Sequence, residues 1–493
     1  MSSRIKTLAT DTLIYGFFIV LGRFLTFFLT PLYTNYVSKS VVGDVTYLFA
    51  LMSIIAIFFT LGMESSFFRY FREGDNYHEK KVFSHSFFII MALGIVWTSL
   101  VMGFSRQIYE WLEIEGSLRM FQYAAMIPIF DTWMVIPYAV LRMNRKAMRF
   151  AATRFALIVI TVVLNFLFIV YFRYGGEGIF LAQLIASIIG VAIFIPEIIK
   201  YFTLDFDWKL LKQMFRLGLP TVPAAFSSVL LQIADRPILK ALTNSETVGM
   251  FSVNMRLALP MLVFVSVFEY AWKPFYLSNY KEEGSKDMYS RVLTYFTMIC
   301  AAIFLFTSLF IEYAVKIPFV GGKLINPEYW SGLYIVPIIL ISYYFNGVFT
   351  NLTAGFLIKK KTELITVAVL AAVIVKIGMN FLLIPSLNYS GAAWASVAGY
   401  LTSASVLYFY TRKIYPINYE WRRIAILFGL CALTFFPVYL ITNGMDSLPA
   451  ILIRIASLVL FGILLKASGF FTQKEIAEIK RLFRRSKPAK ATN

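Results

Sequence analysis

The chain contains 493 residues, of which 59% are hydrophobic and 15% charged, whereas soluble domains are about 25% charged. This composition excludes a water-soluble globular fold, and apolar stretches of about 20 residues recur along the chain, as transmembrane helices require. Two cysteines and two histidines provide neither a disulfide framework nor a histidine-based metal site. The sequence therefore predicts an all-α integral membrane protein.

Hydropathy predicts fourteen transmembrane helices. Arg4 and Lys6 precede the first of them, but its apolar run extends to about residue 37, which is too long for the hydrophobic region of a signal peptide. The predicted spans are 9–36, 43–68, 82–105, 120–141, 150–172, 178–199, 217–239, 248–272, 292–315, 332–357, 364–384, 391–411, 424–443 and 448–466.

The distribution of positive charge supports this count. With the N-terminus placed in the cytoplasm, cytoplasmic segments contain 33 Lys and Arg residues and outer segments contain 7, as the positive-inside rule requires. Both termini are therefore predicted to be cytoplasmic. The net charge of +19 is explained by this bias and by contact with anionic lipids, so no nucleic-acid partner is implied.

The chain also contains an internal repeat. Residues 140–168 align with 355–383 at a fixed offset of 215, so that a basic loop matches a basic loop and an Asn-Phe-Leu triplet recurs. Residues 38–47 align with 244–253 at an offset of 206. Chance similarity between apolar segments is the alternative. A repeat of six helices gives two units of the same orientation, related by a pseudo-two-fold axis along the membrane normal.

The predicted organisation follows from this repeat. Two six-helix lobes, at 1–200 and 217–413, are joined by an amphipathic cytoplasmic linker at 201–216. Two appended helices occupy 414–468, and the basic tail at 469–493 is expected to lie on the inner leaflet. Two like-oriented lobes around a central cavity favour an alternating-access transporter, with a membrane scaffold or enzyme as the alternative.

Three segments resemble one family of exporters. They are DWKLLKQMFRLGLP from Asp207, ADRPILKALTNSETVGMFSV from Ala234 and EYAWKPFYLSN from Glu269. Their order, with a proline-bearing helix, an Asp-Arg pair at its outer end and a short Val-Gly loop, resembles that of the polysaccharide flippases. These belong to the multidrug/oligosaccharidyl-lipid/polysaccharide exporter superfamily. The NFLL and SGAAWAS segments of helices 11 and 12 are similar as well.

The resemblance implies a flippase that carries an undecaprenyl-pyrophosphate-linked oligosaccharide from the cytoplasmic to the outer leaflet of a bacterial inner membrane. The product would serve O-antigen, capsule or related cell-surface polysaccharide. Membrane lipids and a polysaccharide polymerase are the implied partners, and no cofactor is implied. Nothing in the sequence selects one glycan among O-antigen, capsule, teichuronic acid and peptidoglycan precursors.

Cations within the apolar spans are candidate ligands for a pyrophosphate, because arginine binds phosphate bidentately. Arg23 and Arg256 are predicted in the outer half of the membrane, with a structural ion pair as the alternative. Lys376 lies at a similar height. Arg154 is closer to the cytoplasm and could instead extend to the lipid head groups. The fifth candidate is Arg236.

Asp235 and Arg236 adjoin at the outer end of predicted helix 7, directly before Pro237. We interpret this pair as structural, holding an outer gate by salt bridges or capping, with a direct ligand role for Arg236 as the alternative. Arg454, a further cation in an apolar span, is expected to extend outward to the membrane surface.

Four carboxylates are candidates for coupling or gating: Asp131, Asp235, Glu64 and Glu269. A buried carboxylate can take up a proton or bind sodium and so couple transport to an ion gradient. It can equally pair with a cavity arginine, which would make its role structural.

Two other functions are alternatives to a flippase. A multidrug/cation antiporter of the same superfamily requires a cavity dominated by acids and aromatic residues, and the buried charges here are mainly basic. A glycan polymerase, ligase or glycosyltransferase requires a catalytic acid/base constellation. The predicted outer loops have about 5–20 residues and no paired carboxylates or histidine. The sequence therefore favours a transporter over an enzyme.

Overall fold

The computed structural model describes residues 16–18, 20–72, 75–471, 473 and 475. The described chain is helical almost throughout, apart from a short hairpin of β1 (Pro318–Phe319) and β2 (Gly322–Lys323), which pair antiparallel. The start of the first predicted span lies outside the described residues. So does most of the predicted basic tail.

The helices, in chain order, are α1 (Gly16–Tyr36), α2 (Lys39–Thr60), α3 (Met63–Tyr70), α4 (Asn76–Gly103), α5 (Ser105–Trp111), α6 (Leu118–Trp133), α7 (Val135–Met143), α8 (Ala147–Asn165), α9 (Gly175–Tyr201), α10 (Trp208–Gly218), α11 (Val222–Ile233), α12 (Asp235–Leu242), α13 (Ser245–Leu257), α14 (Leu259–Asn279), α15 (Ser285–Ala314), α16 (Val336–Ile358), α17 (Glu363–Leu387), α18 (Tyr389–Ile414), α19 (Trp421–Thr442) and α20 (Leu448–Ala467). A π-helical turn (Phe166–Tyr171) follows α8, and 3₁₀ turns occur at Leu219–Thr221 and Pro327–Ile335.

Within the described residues, twelve helices are long and apolar enough to cross a membrane, or up to thirteen if α13 and α14, bent by 56°, form one span. The protein is therefore a multi-pass membrane protein, as predicted. The predicted span 391–411 corresponds to α18, a 26-residue helix rich in Gly, Ala and Ser. The count of fourteen spans stays a prediction.

The second predicted span is broken in the structure. Leu61 and Gly62 adopt left-handed backbone conformations, with φ of 41° and 70°, which end α2 and begin α3. A Cβ at Gly62 would lie 2.2 Å from the carbonyl oxygen of Gly218, so only glycine fits this contact. Glu64 therefore lies in the first turn of a separate short helix rather than within a continuous span.

The predicted linker has the expected amphipathic pattern. In α10, Leu210, Leu211 and Met214 are buried while Lys209 and Lys212 are exposed. Asp207 caps this helix by accepting a hydrogen bond from the Leu210 N–H at 3.0 Å, and that bond lowers the pKa of the Asp207 carboxyl. The chain continues from α10 through a 3₁₀ turn into α11, so residues 208–216 of the predicted linker and residues 217–233 of predicted helix 7 form one helical run, Trp208–Ile233. Residues 235–239 of predicted helix 7 belong to the separate helix α12.

The repeat at offset 215 is visible in the backbone. The turn after α7 places Arg145 at φ 53°, and the turn after α16 places Lys360 at φ 55°, at equivalent positions. In both turns the next residue donates its backbone N–H to the carbonyl oxygen five residues earlier. This hydrogen bond is 2.9 Å long for Lys146 and 2.8 Å long for Lys361. The basic loops therefore share one turn geometry as well as their charge.

The repeat at offset 206 places two equivalent helix starts in contact. Ser38 precedes α2 and Asn244 precedes α13, and the equivalent glycines Gly43 and Gly249 lie where these helices cross. A Cβ at Gly43 would lie 1.7 Å from the Ser245 carbonyl oxygen, so the two backbones approach too closely for any side chain.

The chain forms two compact units: Met1–Asn279 with Val315–Tyr415, and Tyr280–Ala314 with Pro416–Asn493. The first unit contains helices from both predicted lobes. The second contains α15, α19 and α20 around an apolar core that includes Leu305, Leu427 and Phe461. Since α15 groups with the C-terminal helices, the predicted lobe boundaries do not coincide with these units and stay a prediction.

Arg454, in the second unit, is 1% exposed, so the predicted outward extension is wrong. Its guanidinium donates to the carbonyl oxygens of Leu309 (2.6 Å) and Thr442 (2.7 Å) and to the Glu312 carboxylate (2.8 Å). These acceptors satisfy the N–H donors of the guanidinium inside the protein, so the side chain does not need water at the membrane surface. Arg454 therefore connects three helices of this unit.

Single cysteines in the equivalent turns test the predicted topology. Lys146 and Lys361 are exposed, and the native thiols of Cys300 and Cys431 are buried, so background labelling is low. We expect a membrane-impermeant maleimide to modify Lys146→Cys and Lys361→Cys only after the cytoplasmic side is made accessible. Labelling of either position in intact cells would overturn the orientation.

Candidate functional site

The first unit contains a cavity of about 490 Å³. Helices from both halves of the repeat line it, including α1 and α8 from the first half and α13 and α14 from the second. Within the described part of the chain, its lining contains three arginines and no carboxylate. The lining residues are Arg23, Thr26, Phe27, Leu29, Tyr33, Phe49, Thr161, Asn165, Ile179, Gln183, Arg236, Met255, Arg256, Leu259, Leu262 and Tyr343.

Arg23 and Arg256 make reciprocal contacts between the two halves of the repeat. Arg23 in α1 donates from Nη1 to the Ser266 hydroxyl of α14, at 2.5 Å. Arg256 in α13 donates from Nη1 to the Thr30 hydroxyl of α1, at 3.3 Å. Because an arginine has five N–H donors, each guanidinium retains donors for a ligand in the cavity.

Arg236 is the third cavity arginine. Its Nη2 lies 3.6 Å from the Met255 sulfur, which is a weak acceptor. Among the described residues, none of the three cavity arginines forms an ion pair with a carboxylate. In this conformation, therefore, Arg23 and Arg256 are not in the structural ion pairs that were the alternative. The cavity holds three positive charges.

Asp235 and Arg236 do not pair with each other. The Asp235 carboxylate, 1% exposed, accepts from Lys376 Nζ at 2.6 Å, from Asn380 Nδ2 at 3.1 Å and from Ser396 Oγ at 3.1 Å. These partners lie on α17 and α18. Asp235 therefore belongs to a buried ion pair whose cation is Lys376 rather than Arg236, and its gating role stays a prediction.

Lys376 does not line the cavity. Its ammonium, also 1% exposed, is shared between Asp235 and the Leu231 carbonyl oxygen at 2.7 Å. The predicted role as a cavity ligand therefore needs correcting for this conformation, because a charge held in a buried ion pair is not available to a substrate. One effect of the pair is that Asp235 is neutralised beside Arg236.

Arg154 and Asp131 lie away from the central cavity. Arg154 lines a second, smaller cavity of about 230 Å³, and its guanidinium lies 4.8 Å from the ring centre of Tyr138. Asp131 is half-buried and accepts from the Ser187 hydroxyl at 2.5 Å. Among the described residues, this carboxylate has one hydrogen-bond partner, in α9, and no direct contact with the cavity arginines.

The two candidate glutamates lie outside the cavity. Glu64 forms an ion pair with Arg142, at the predicted cytoplasmic end of the first half of the repeat. Glu269 is exposed on α14. Within the described residues, no group of three or more His, Cys, Asp or Glu side chains could share a metal ion.

Sequence reasoning missed a buried cluster at the predicted outer side, which we call the outer latch (Asp44, Lys240 and Ser245). Asp44, 0% exposed, accepts from Lys240 Nζ at 3.0 Å and from the Ser245 hydroxyl at 2.6 Å. It also accepts from the backbone N–H groups of Glu115 (2.6 Å) and Gly116 (3.2 Å). The outer latch therefore joins α2 to α12 and α13 beside the Gly43–Gly249 crossing.

Residues 8–278 match the family described as polysaccharide biosynthesis protein. The chain belongs to this family. No curated protein matches the sequence. Family membership confirms the resemblance found in the flippase-like segments, most of which lie inside the matched region.

Several solved structures share the fold of this polysaccharide biosynthesis family member, each at 16% sequence identity. The lipid II flippase MurJ in an inward closed conformation has a TM-score of 0.73 and covers 92% of this chain and 99% of its own. A multidrug resistance MATE family transporter of the MOP superfamily has a TM-score of 0.67 inward-facing (85% and 99% covered) and 0.58 outward-facing (86% and 97% covered). The predicted exporter fold is therefore confirmed.

Proposed function

We propose that this protein is a flippase that moves a lipid-linked oligosaccharide, joined through a pyrophosphate, from the cytoplasmic to the outer leaflet of a bacterial inner membrane. The observation that carries the proposal is the cavity with three arginines, drawn from both halves of the repeat and free of ion pairs among the described residues. Alternating access between the two halves would expose this cavity to each side in turn.

The cavity suits the chemistry of a pyrophosphate. Taking its negative charges out of water is costly unless cations and hydrogen-bond donors replace the lost hydration. Arg23, Arg236 and Arg256 provide both, because each guanidinium is permanently charged and matches phosphate oxygens bidentately. Hydroxyl and amide groups of the lining, including Thr161 and Gln183, offer hydrogen bonds to sugar hydroxyls.

The same lining disfavours an organic cation as substrate. A cation would enter a space that already holds three positive charges and no carboxylate from the described chain. The family described as polysaccharide biosynthesis protein also supports a glycan substrate. A polysaccharide polymerase acting on the outer leaflet would then use the transported product.

Thermal stabilisation of the purified protein tests this assignment, since a ligand that binds the native state raises the apparent melting temperature. We expect an undecaprenyl-pyrophosphate oligosaccharide to raise Tm and tetraphenylphosphonium, an organic cation, to leave it unchanged. Stabilisation by the cation alone would contradict the proposal and favour a multidrug exporter.

Asp131 is the residue we propose for coupling to a proton or sodium gradient, because its carboxylate is half-buried near the cationic side chain of Arg154. We expect Asp131→Asn to make transport insensitive to imposed pH or sodium gradients, whereas Glu110→Gln, at an exposed carboxylate, keeps the wild-type response. Gradient dependence that persists in Asp131→Asn would reject this role.

A further inference from the structure

The smaller cavity of about 230 Å³, which we call the side pocket, lies between α1 and α8. Two arginines, Arg23 and Arg154, provide its positive charge, and most of the remaining wall is apolar. Arg23 and Thr26 line both the side pocket and the central cavity, so the two spaces adjoin along α1. The apolar walls come from Phe18, Phe150, Ala151, Phe155 and Ile158.

Arg154 forms no ion pair among the described residues, although the Asp131 carboxylate lies near enough to interact with it electrostatically. Its neighbours are ion-paired, Arg142 with Glu64 and Arg149 with Glu197. Among the described residues, the Arg154 guanidinium has only aromatic contacts, 4.8 Å from the Tyr138 ring centre and 5.1 Å from that of Phe150. Such contacts orient the guanidinium plane and leave its N–H donors available.

Two cations beside apolar walls match a molecule in which a phosphate adjoins a hydrocarbon chain. The charged groups would bind phosphate oxygens, and the Phe18–Phe155 pair, with ring centres 5.6 Å apart, would contact the chain. A free sugar or a water-soluble anion would gain nothing from those walls. Long-chain lipid pyrophosphate is therefore the ligand class that uses the whole pocket.

We propose that the side pocket is a separate binding subsite for the junction between the pyrophosphate and the isoprenoid chain of the substrate. Arg154 binds the pyrophosphate first, Arg23 is shared, and the pyrophosphate then reaches Arg236 and Arg256 in the central cavity. This inference rests on the proposed flippase function, and it adds a first binding position and a location for the start of the lipid chain.

Binding of undecaprenyl pyrophosphate, which carries no sugar, to the full-length protein in phosphatidylcholine nanodiscs tests the subsite. We expect Arg154→Gln and the pocket-filling Ala151→Leu to weaken its binding about tenfold, the scale of one lost charge-assisted contact. Lys146→Gln, which removes an exposed charge at the start of the same helix, should bind as wild type. Ala151→Leu should leave binding of inorganic pyrophosphate unchanged.

A second measurement covers the case in which Ala151→Leu fails to fold. A diazirine on the isoprene unit next to the pyrophosphate should crosslink wild-type protein within α8, near Phe155 and Ile158. Crosslinks confined to other helices would overturn the subsite, as would equal competition by phosphatidylglycerol, which would mark a general anionic-lipid site.

The outcomes separate the subsite from the function. Wild-type affinity in Arg154→Gln and Ala151→Leu, together with weak binding in Arg256→Gln, would overturn the side pocket and leave the flippase proposal intact. If the wild-type protein binds no lipid pyrophosphate, both proposals fail.

Discussion

Replacing Arg23 and Arg256 together with glutamine is expected to abolish glycan export while the protein remains folded and inserted. Under the proposed function, each arginine would supply charge-assisted contacts to the pyrophosphate worth about 1.5–3 kcal/mol, so losing both should weaken substrate binding on the order of a hundredfold or more. Within the protein, Arg23 donates to the Ser266 hydroxyl at 2.5 Å and to the Leu262 carbonyl oxygen at 3.3 Å, and Arg256 donates to the Thr30 hydroxyl at 3.3 Å. Glutamine keeps an N–H donor for such contacts, so the fold should be retained. The amount of cell-surface polysaccharide measures export.

Arg106→Gln provides the matched control. Arg106 is exposed at the predicted outer side. Its one ion pair in the described part of the chain is with Glu110 of the same short helix, at 3.1 Å, so its loss should leave export unchanged. Normal export in the Arg23→Gln/Arg256→Gln double variant, at wild-type protein levels, would remove the cavity from the mechanism.

Lys376→Met is expected to destabilise the protein by about 3–5 kcal/mol, because it leaves the Asp235 carboxylate buried without a cation. Asp235→Asn should also be destabilising, because it leaves the Lys376 ammonium buried without its carboxylate. The double variant Asp235→Asn/Lys376→Met removes both charges and should recover most of the loss, since the two effects are coupled. Unfolding temperatures of the four purified proteins measure this coupling.

The pair also affects the cavity. In Lys376→Met the uncompensated carboxylate adjoins Arg236 and lowers the positive potential there, so binding of pyrophosphate should weaken and should return in the double variant. Additive losses of stability, with no recovery in the double variant, would contradict the assignment of Asp235 and Lys376 to one ion pair.

The sequence predicted the features that depend on composition and local periodicity. Charges within apolar spans are expensive, so Arg23, Arg236 and Arg256 were recognisable as candidates before their contacts were known. The repeat predicted matching basic loops around Arg145 and Lys360, and the structure adds that the two loops share one turn geometry. Burial of charge and sequence repetition are properties of individual segments, so they can be predicted without knowing which segments are in contact.

Partner choice was less predictable, because it depends on contacts between distant segments. The adjacent Asp235 and Arg236 suggested a pair, yet the carboxylate turns towards Lys376 on α17. Lys240 looked like an ordinary outer-loop charge, although it reaches Asp44, 196 residues away in sequence. The one available signal for the outer latch was an acid, Asp44, beside the repeated Gly43.

Backbone breaks were also missed. The segment around Gly62 has uninterrupted hydropathy, and only its close approach to Gly218 reveals why α2 ends there. The same limit applies to Arg454, whose acceptors Leu309 and Glu312 come from a helix about 140 residues earlier. Packing between helices, rather than hydropathy, decides whether such a charge reaches the surface.

The most direct test of the central claim is leaflet exchange in liposomes. The purified protein is reconstituted with a fluorescent undecaprenyl-pyrophosphate oligosaccharide, and a membrane-impermeant quencher reports the fraction in each leaflet over time. We predict exchange with the wild-type protein and with Arg106→Gln, and none above protein-free liposomes with Arg23→Gln/Arg256→Gln. Equal exchange by the wild-type and the double variant would contradict the cationic cavity, and no exchange by the folded wild-type protein would contradict the flippase function itself.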